Sequence, residues 1–319
     1  MLSGKTNRSD AQVFSAKLRG ELLGGRHMAD PVALEAGRLS ESSIDRYWKD
    51  GFLFPMQAMP TEDARALRQE LEAMESEWLD NGLPLPLNTY KRVNAHCVMP
   101  LAAKIGADPR ILDVVEGILG PDILVYGVEF FIKEAHTTQV VSMHQDLTYW
   151  GLGAIDGLVT MWLALSPATV SSGCMEFVEG SHKNAILPHE DTFDENNLLS
   201  RGQEVKVDVP PDQRVPIELM PGQISLHHGL TIHGSGPNVS DDRRIAAVVR
   251  YCTPEIAQQV ADKDYGMLVR GADRTGNFIN IAPPRAPFTP ESLALYDEIR
   301  AAQAQATMKG TDNTKGLYA

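Results

Sequence analysis

The run Val141-Ser142-Met143-His144-Gln145-Asp146-Leu147-Thr148-Tyr149-Trp150 sets an imidazole and a carboxylate two positions apart in a strand-like context. Side chains at i and i+2 of a strand share one face. His144 and Asp146 can therefore share one metal ion, provided a third ligand arrives from elsewhere. A His-x-Asp pair alone is a weak indication, because a chain with 9 His can contain one by chance. A second stretch strengthens it. From Pro221 to Asn238 the chain reads as a turn, a strand-like run ending in His227-His228, and then His233 entering a glycine-rich turn. Arg243-Arg244 open an apolar, β-rich run that reaches Tyr251. Two His and one carboxylate with open positions form the facial triad of non-haem Fe(II) sites. His227 and His228 compete for the third place, but both precede the glycine turn and read mainly as strand residues.

The elements that must position these groups are legible in outline. Residues 1–37 show no sustained period and are expected to be a poorly ordered extension. Ser40 is placed to cap a short helix running to Trp48, which Gly51 ends. After Thr61, the apolar residues Ala64, Leu67, Leu71, Met74 and Trp78 recur at helical spacing. Asp108-Pro109 open a further helix through Leu119, with proline suited to its first turn. The segment 88–100, with Lys91, Arg92, Asn94 and His96, is too irregular to assign and is expected to be a loop beside a pocket or a solvated connection. From Ile123 the period becomes two, and the odd-numbered face, with Gly127 and Glu129, is expected to look into a cavity. Further strands are expected at 138–145, 157–165, 174–178, 203–209, 215–219, 223–228 and 244–252. Many short strands preceded by helices predict a mainly β protein with flanking helices, a jelly roll of the cupin kind. One domain is expected over 38–303, with a short helix near 290–303 and a polar tail over 304–319.

A net charge of -13 and a pI near 5.1 argue against nucleic acid or an anionic membrane as partner. No apolar stretch is long enough to span a bilayer, and no apolar signal core follows the N-terminal charges. A cytoplasmic protein is expected. Cys97, Cys174 and Cys252 are an odd set in apolar or turn contexts, so free thiols in a reducing compartment are expected.

From about Leu39 to Tyr251 the chain resembles the phytanoyl-CoA dioxygenase family, iron- and 2-oxoglutarate-dependent oxygenases on a double-stranded β-helix. The resemblance rests on His144-Gln145-Asp146, the Gly180-Ser181-His182 turn, His233-Gly234-Ser235-Gly236-Pro237-Asn238, and Arg244. It implies that His144, Asp146 and His233 hold Fe(II). It also implies that Arg244, eleven positions after His233, grips the distal carboxylate of 2-oxoglutarate, with Ser235 and Trp162 as further contacts. His227 and His228 lack an arginine at that distance. Tyr149-Trp150-Gly151-Leu152 is similar to the branch that includes halogenases of the syringomycin type, in which Ala or Gly replaces the carboxylate; this chain keeps Asp146. Glu179 stands where a proline usually precedes Gly-Ser-His. The implied reaction consumes O2, converts 2-oxoglutarate to succinate and carbon dioxide, and hydroxylates a small polar metabolite or one tethered to a carrier or CoA, with ascorbate as a supporting reductant. A non-enzymatic cupin-like metal or ligand binder is the alternative, and zinc hydrolysis, which has no use for Arg244, is a third. Glu129, Trp150 and Arg250 are candidate substrate contacts. For Glu129 the partner is a substrate ammonium or an internal cation; for Arg250 an internal salt bridge is the plainer account; Trp150 either lines the pocket or packs.

Overall fold

Ser40 does cap the first helix, α1 (Glu41–Asp50): its side chain accepts the Ser43 N–H at 3.2 Å, and Gly51, at φ 90°, ends the helix in the left-handed region. The computed structural model describes Val32 and residues 34–307 other than Tyr149, Glu195, Ser200, Arg201, Asp262 and Lys263. Most of the expected extension, most of the expected tail, and Tyr149 of the halogenase-like stretch lie outside these residues. Within the extension, Leu34–Glu35 pairs antiparallel with Arg38–Leu39.

Helix α2 (Thr61–Trp78) buries Ala64, Leu67 and Leu71, as their spacing predicts. The segment 88–100 is more regular than its composition suggests, since it contains α3 (Leu87–Arg92) and a single 3-10 turn, Ala95–Cys97. Helices α4 (Pro100–Gly106) and α5 (Pro109–Leu119) follow; Asp108 caps α5 by accepting the Arg110 N–H at 2.9 Å. Near the C-terminus, α6 (Pro290–Thr307) runs four residues past its expected end, because Gln303, Ala306 and Thr307 are buried.

Eleven strands build the two main sheets of the described residues. They are β1 (Phe52–Gln57), β2 (Ile123–Lys133), β3 (Val141–His144), β4 (Leu158–Ala164), β5 (Met175–Phe177), β6 (Val215–Ile217), β7 (Gln223–His228), β8 (His233–Ser235), β9 (Arg244–Cys252), β10 (Tyr265–Arg270) and β11 (Ile279–Asn280). The larger sheet has the order β11-β10-β2-β9-β4-β7-β1, and the smaller has the order β6-β5-β8-β3. A separate ribbon pairs His189–Asp191 with Gln203–Val205. The result is a jelly-roll core with flanking helices. One face of the larger sheet packs Val128, Phe130, Ala247 and Val249 into a core with Leu67, Leu71, Ile111 and Leu112 of the helices, while the other face looks toward the smaller sheet.

Sequence pattern alone does not find β1, β8, β10 or β11. Strand β1 contains Pro55, tolerated because β1 is an edge strand, and β8 and β11 are too short to show a period. In β2 the expected odd-numbered face holds only from Gly127 onward. The β2–β9 register shifts between Arg250 and Tyr251, leaving Tyr126 without an opposite residue. A bulge of this kind exchanges the two faces of a strand. Ile123 and Val125 therefore join the helix-side core, whereas Gly127, Glu129 and Phe131 line the cavity.

Candidate active site

Pairing across the larger sheet sets side chains in rows. Gly127, Arg250, Thr160 and His227 align on β2, β9, β4 and β7, and Glu129, Val248, Trp162 and Ser225 align in the next row. All of these except Ser225 line a cavity of about 140 Å³ between the sheets. The smaller sheet closes it with Val141 and His144 of β3, Met175 of β5, and His233 and Ser235 of β8.

His144 and His233 are directly paired across β3 and β8, with ring centroids 4.1 Å apart. Asp146 does not share their strand. The chain leaves β3 at His144, and Asp146 opens a 3-10 turn, Asp146–Thr148, so the carboxylate arrives by the turn and not by strand alternation. One ligand atom each of His144, Asp146 and His233 lies within 4.8 Å of the others, and all three residues are buried. His144 Nδ1 donates to Ser142 O at 2.9 Å and His233 Nδ1 donates to Thr231 O at 3.0 Å. Those bonds select the tautomer with Nε2 free, as metal-ligating histidines require. Burial holds the His233 imidazole well below its usual range, hence neutral. Burial works the other way on Asp146, but His144, His227 and the Arg250 cation keep its carboxyl well below the usual range. Two imidazoles and one carboxylate at a buried point fit a divalent transition metal.

Several residues to which sequence reasoning assigns no role at the metal hold this set in place. The Gln145 N–H donates to His189 Nε2 at 3.1 Å, and the Gln145 side chain bridges Leu230 O and the Leu187 N–H at 2.9 and 2.8 Å. Thr160 Oγ1 donates to Asp146 Oδ2 at 2.8 Å. Ser181, in the Gly-Ser-His turn, accepts the Ile232 N–H at 2.8 Å, immediately before His233. His227 faces the cavity beside Asp146, so it is more than a strand residue. His228 points elsewhere: its Nδ1 accepts the Leu230 N–H at 3.1 Å and its Nε2 lies 3.2 Å from Asp156 Oδ1. His182 reaches Trp48 O, and His96 is buried beside Cys97. All three cysteines are free and buried.

Arg244 sits at the far end of the cavity with 1% of its surface exposed. Its guanidinium donates to Gly173 O at 2.6 Å and lies 5.3 Å from the Trp162 ring centroid, while its Nε has no partner. No carboxylate among the described residues pairs with it. Burial lowers it to about 10, so it remains a cation at neutral pH. A buried planar cation that shares the cavity with Ser235 and is short of one acceptor fits the distal carboxylate of a 2-oxo acid. Next to it in register, buried Lys133 has its Nζ 2.7 Å from Ser235 Oγ, 3.2 Å from Ser235 O and close to Gly236 O.

Of the expected substrate contacts, Trp150, Glu129 and Arg250 all line the cavity. Glu129, however, is already engaged by two cations: Arg250 Nη2 on Oε1, and Arg92 Nε 3.3 Å from Oε2. Those ion pairs satisfy a carboxylate that is 5% exposed, so a substrate ammonium is not needed to explain it. The Arg250 guanidinium lies 4.7 Å from the Trp150 ring centroid. From the segment 88–100, Arg92 and Asn94 reach the cavity; Lys91 pairs instead with Glu75. The α6 residues Gln303 and Thr307 complete the wall. Among the described residues no helix is long and apolar enough to cross a membrane.

The family model described as phytanoyl-CoA dioxygenase (PhyH) matches residues 47–246. A probable phytanoyl-CoA dioxygenase of Caenorhabditis elegans is 23% identical over 247 residues, which are 71% of this chain and 79% of that one. L-proline trans-4-hydroxylase of Streptomyces griseoviridis is 26% identical over 227 residues, 65% of this chain and 84% of that one. Other family relatives are matched over only about half of their length. Among solved structures, the non-heme monooxygenase ThoJ in its apo form superposes with a TM-score of 0.75 at 30% identity, covering 83% of this chain and 97% of that one. With the site and these likenesses together, the chain belongs to the phytanoyl-CoA dioxygenase family, the 2-oxoglutarate-dependent non-haem iron dioxygenases.

Proposed function

We propose that His144, Asp146 and His233 hold Fe(II), that Arg244 with Ser235 and Trp162 holds 2-oxoglutarate, and that the enzyme hydroxylates a small polar metabolite or one tethered to a carrier or CoA. The observation that carries this reading is the pairing of two incomplete sites in one cavity: three convergent ligands at one end, and a buried guanidinium without a carboxylate at the other. When bound, the iron supplies the oxidative chemistry that splits O2, releasing succinate and carbon dioxide. The chain's own residues bind and orient. Arg244 and Ser235 fix the distal end of the co-substrate, Trp162 walls it, and burial of the triad excludes water. Trp150, Arg250 and Glu129 line the space left for the substrate.

Purified protein with Fe(II), ascorbate and 2-oxoglutarate should release succinate slowly by itself and faster with the right substrate. Free amino acids and acyl-CoA lead the screen, in view of the L-proline trans-4-hydroxylase and phytanoyl-CoA dioxygenase relatives. Metal and 2-oxoglutarate binding without succinate under any condition would instead favour a ligand-binding protein on the same fold.

A further inference from the structure

His227 is 1% exposed and lines the cavity, yet neither of its ring nitrogens has a hydrogen bond. Its ring packs against those of Phe177 and His233, with centroids 4.9 and 4.6 Å away. A buried unsatisfied imidazole N–H costs about 1–3 kcal/mol, so an apolar residue would be the more stable choice in a purely structural position. One polar neighbour is informative. His227 Nε2 is 3.4 Å from Asp146 Oδ2, close but without the alignment of a hydrogen bond. Thr160, its neighbour in register on β4, donates to that same oxygen at 2.8 Å. The other carboxylate oxygen, Oδ1, faces the metal-ligand set, 3.7 Å from His144 Nε2.

We infer that Thr160 and His227 are positioning residues that occupy Asp146 Oδ2 and so compel the carboxylate to bind the metal through Oδ1 alone. The inference rests on the triad being the metal site. Its consequence is chemical. A carboxylate free to bind through both oxygens takes two coordination positions, and with two imidazoles only two of six remain for a chelating 2-oxo acid and O2, which together need three. A threonine hydroxyl on one oxygen withdraws it from the metal, and a slight turn of the carboxylate brings His227 Nε2–H into a second bond. The cavity-facing row of the larger sheet thus governs how many positions the metal keeps open, although it supplies no ligand.

The test uses the full-length protein, with Co(II) as a metal probe and nitric oxide as a probe of the vacant position in the Fe(II)–2-oxoglutarate complex. Thr160→Val keeps volume and His227→Phe keeps a planar ring, and each removes the polar contact. Both are expected to change Co(II) affinity about 10–100-fold, as loss of groups that orient a ligand typically does. Both should also shift the visible Co(II) bands and weaken the nitric oxide signal in electron paramagnetic resonance. Thr160→Ser, which restores the hydroxyl, should return all three readouts to the wild-type range. Thermal melts identify any variant that fails to fold; in that event His227→Gln, which retains an N–H donor, is compared with His227→Leu. Wild-type Co(II) affinity and nitric oxide binding in a folded Thr160→Val or His227→Phe protein would overturn the clamp. Retained Co(II) binding in His144→Ala would instead overturn the metal site itself, so the two failures are distinguishable.

Discussion

Arg244 and Arg243 are adjacent in sequence and have opposite fates. Arg243 lies outside the cavity in a part-buried network with Glu75, Glu72 and Glu134. Arg244 is enclosed in the cavity with one backbone acceptor. Arg244→Ala should therefore weaken 2-oxoglutarate by about 2–5 kcal/mol, the usual cost of truncating one partner of a desolvated charge pair, while Fe(II) affinity changes little. Arg243→Ala should leave both nearly unchanged. Titration of the metal-to-ligand absorption band decides, and equal 2-oxoglutarate affinity in wild type and Arg244→Ala would remove the assigned role. Lys133 adds a pH dependence. Burial and the neighbouring Arg244 lower its amine to about 6, so it is largely neutral at pH 7 in the free enzyme. A carboxylate bound at Arg244 and Ser235 favours the ammonium and raises that value. Its contribution to affinity is then complete below pH 6 and is lost as pH rises through the higher value of the complex. The 2-oxoglutarate dissociation constant should rise across that window in wild type and be flatter in Lys133→Met; identical pH profiles would contradict this coupling. At Asp146 the prediction concerns the product. A halide needs a position on the metal that this carboxylate takes, so turnover in chloride buffer should add one oxygen to the true substrate. A chlorinated major product with its isotope doublet in mass spectrometry would mean that Asp146 does not bind the metal.

At the scale of elements, the short pairing of β8 with β3 brings His233 and His144 together, and it depends on a residue without a side chain. A Cβ on Gly234 would meet Val141 O at 2.6 Å and Met143 N at 3.2 Å, and backbone atoms cannot step aside as a flexible side chain can. Gly234→Ala should force the strands apart, costing about 1–3 kcal/mol of stability and weakening the metal far more than a surface Gly→Ala change does. Chemical denaturation and a Co(II) titration on one preparation check both; wild-type values in both would show that the strand pair tolerates the methyl group. The elements were unequally legible in sequence. Helices α1 and α5 announce their ends through Ser40, Gly51 and Asp108-Pro109, and α2 announces itself through its apolar period, because caps and apolar periods are local. Strand β8 has three residues and is held by β5 and β3, 56 and 89 positions away at His233↔Phe177 and His233↔His144. Nothing within its own span encodes that pairing.

Across the whole molecule, α6 closes the cavity wall far along the chain from the ligands. It buries Tyr296 and Ile299 at 0% and 1% exposure, stacks Tyr296 near Tyr90, and places Gln303 where Asn94 donates to it at 2.6 Å. Ending the chain at residue 289 should lower unfolding free energy by roughly 3–6 kcal/mol, counting two large side chains at about 1.5–3 kcal/mol each. An unchanged urea midpoint would show that α6 is only appended. Resemblance to the family chose Arg244 over Arg243, while the sequence by itself put on offer His144, Asp146 and His233 as candidate ligands, a mainly β core and the helices that cover it. These follow from residue types at fixed spacing and from periods that a short window contains. Only the tertiary structure decided that Asp146 arrives by a turn, that the bulge opposite Arg250 and Tyr251 turns Ile123 and Val125 away from the cavity, that Arg92 and Arg250 share Glu129, and that Thr160 and His227 face one oxygen of Asp146. Each of these depends on register between strands, or on a partner far along the chain, and register is set by packing the two sheets and helices together.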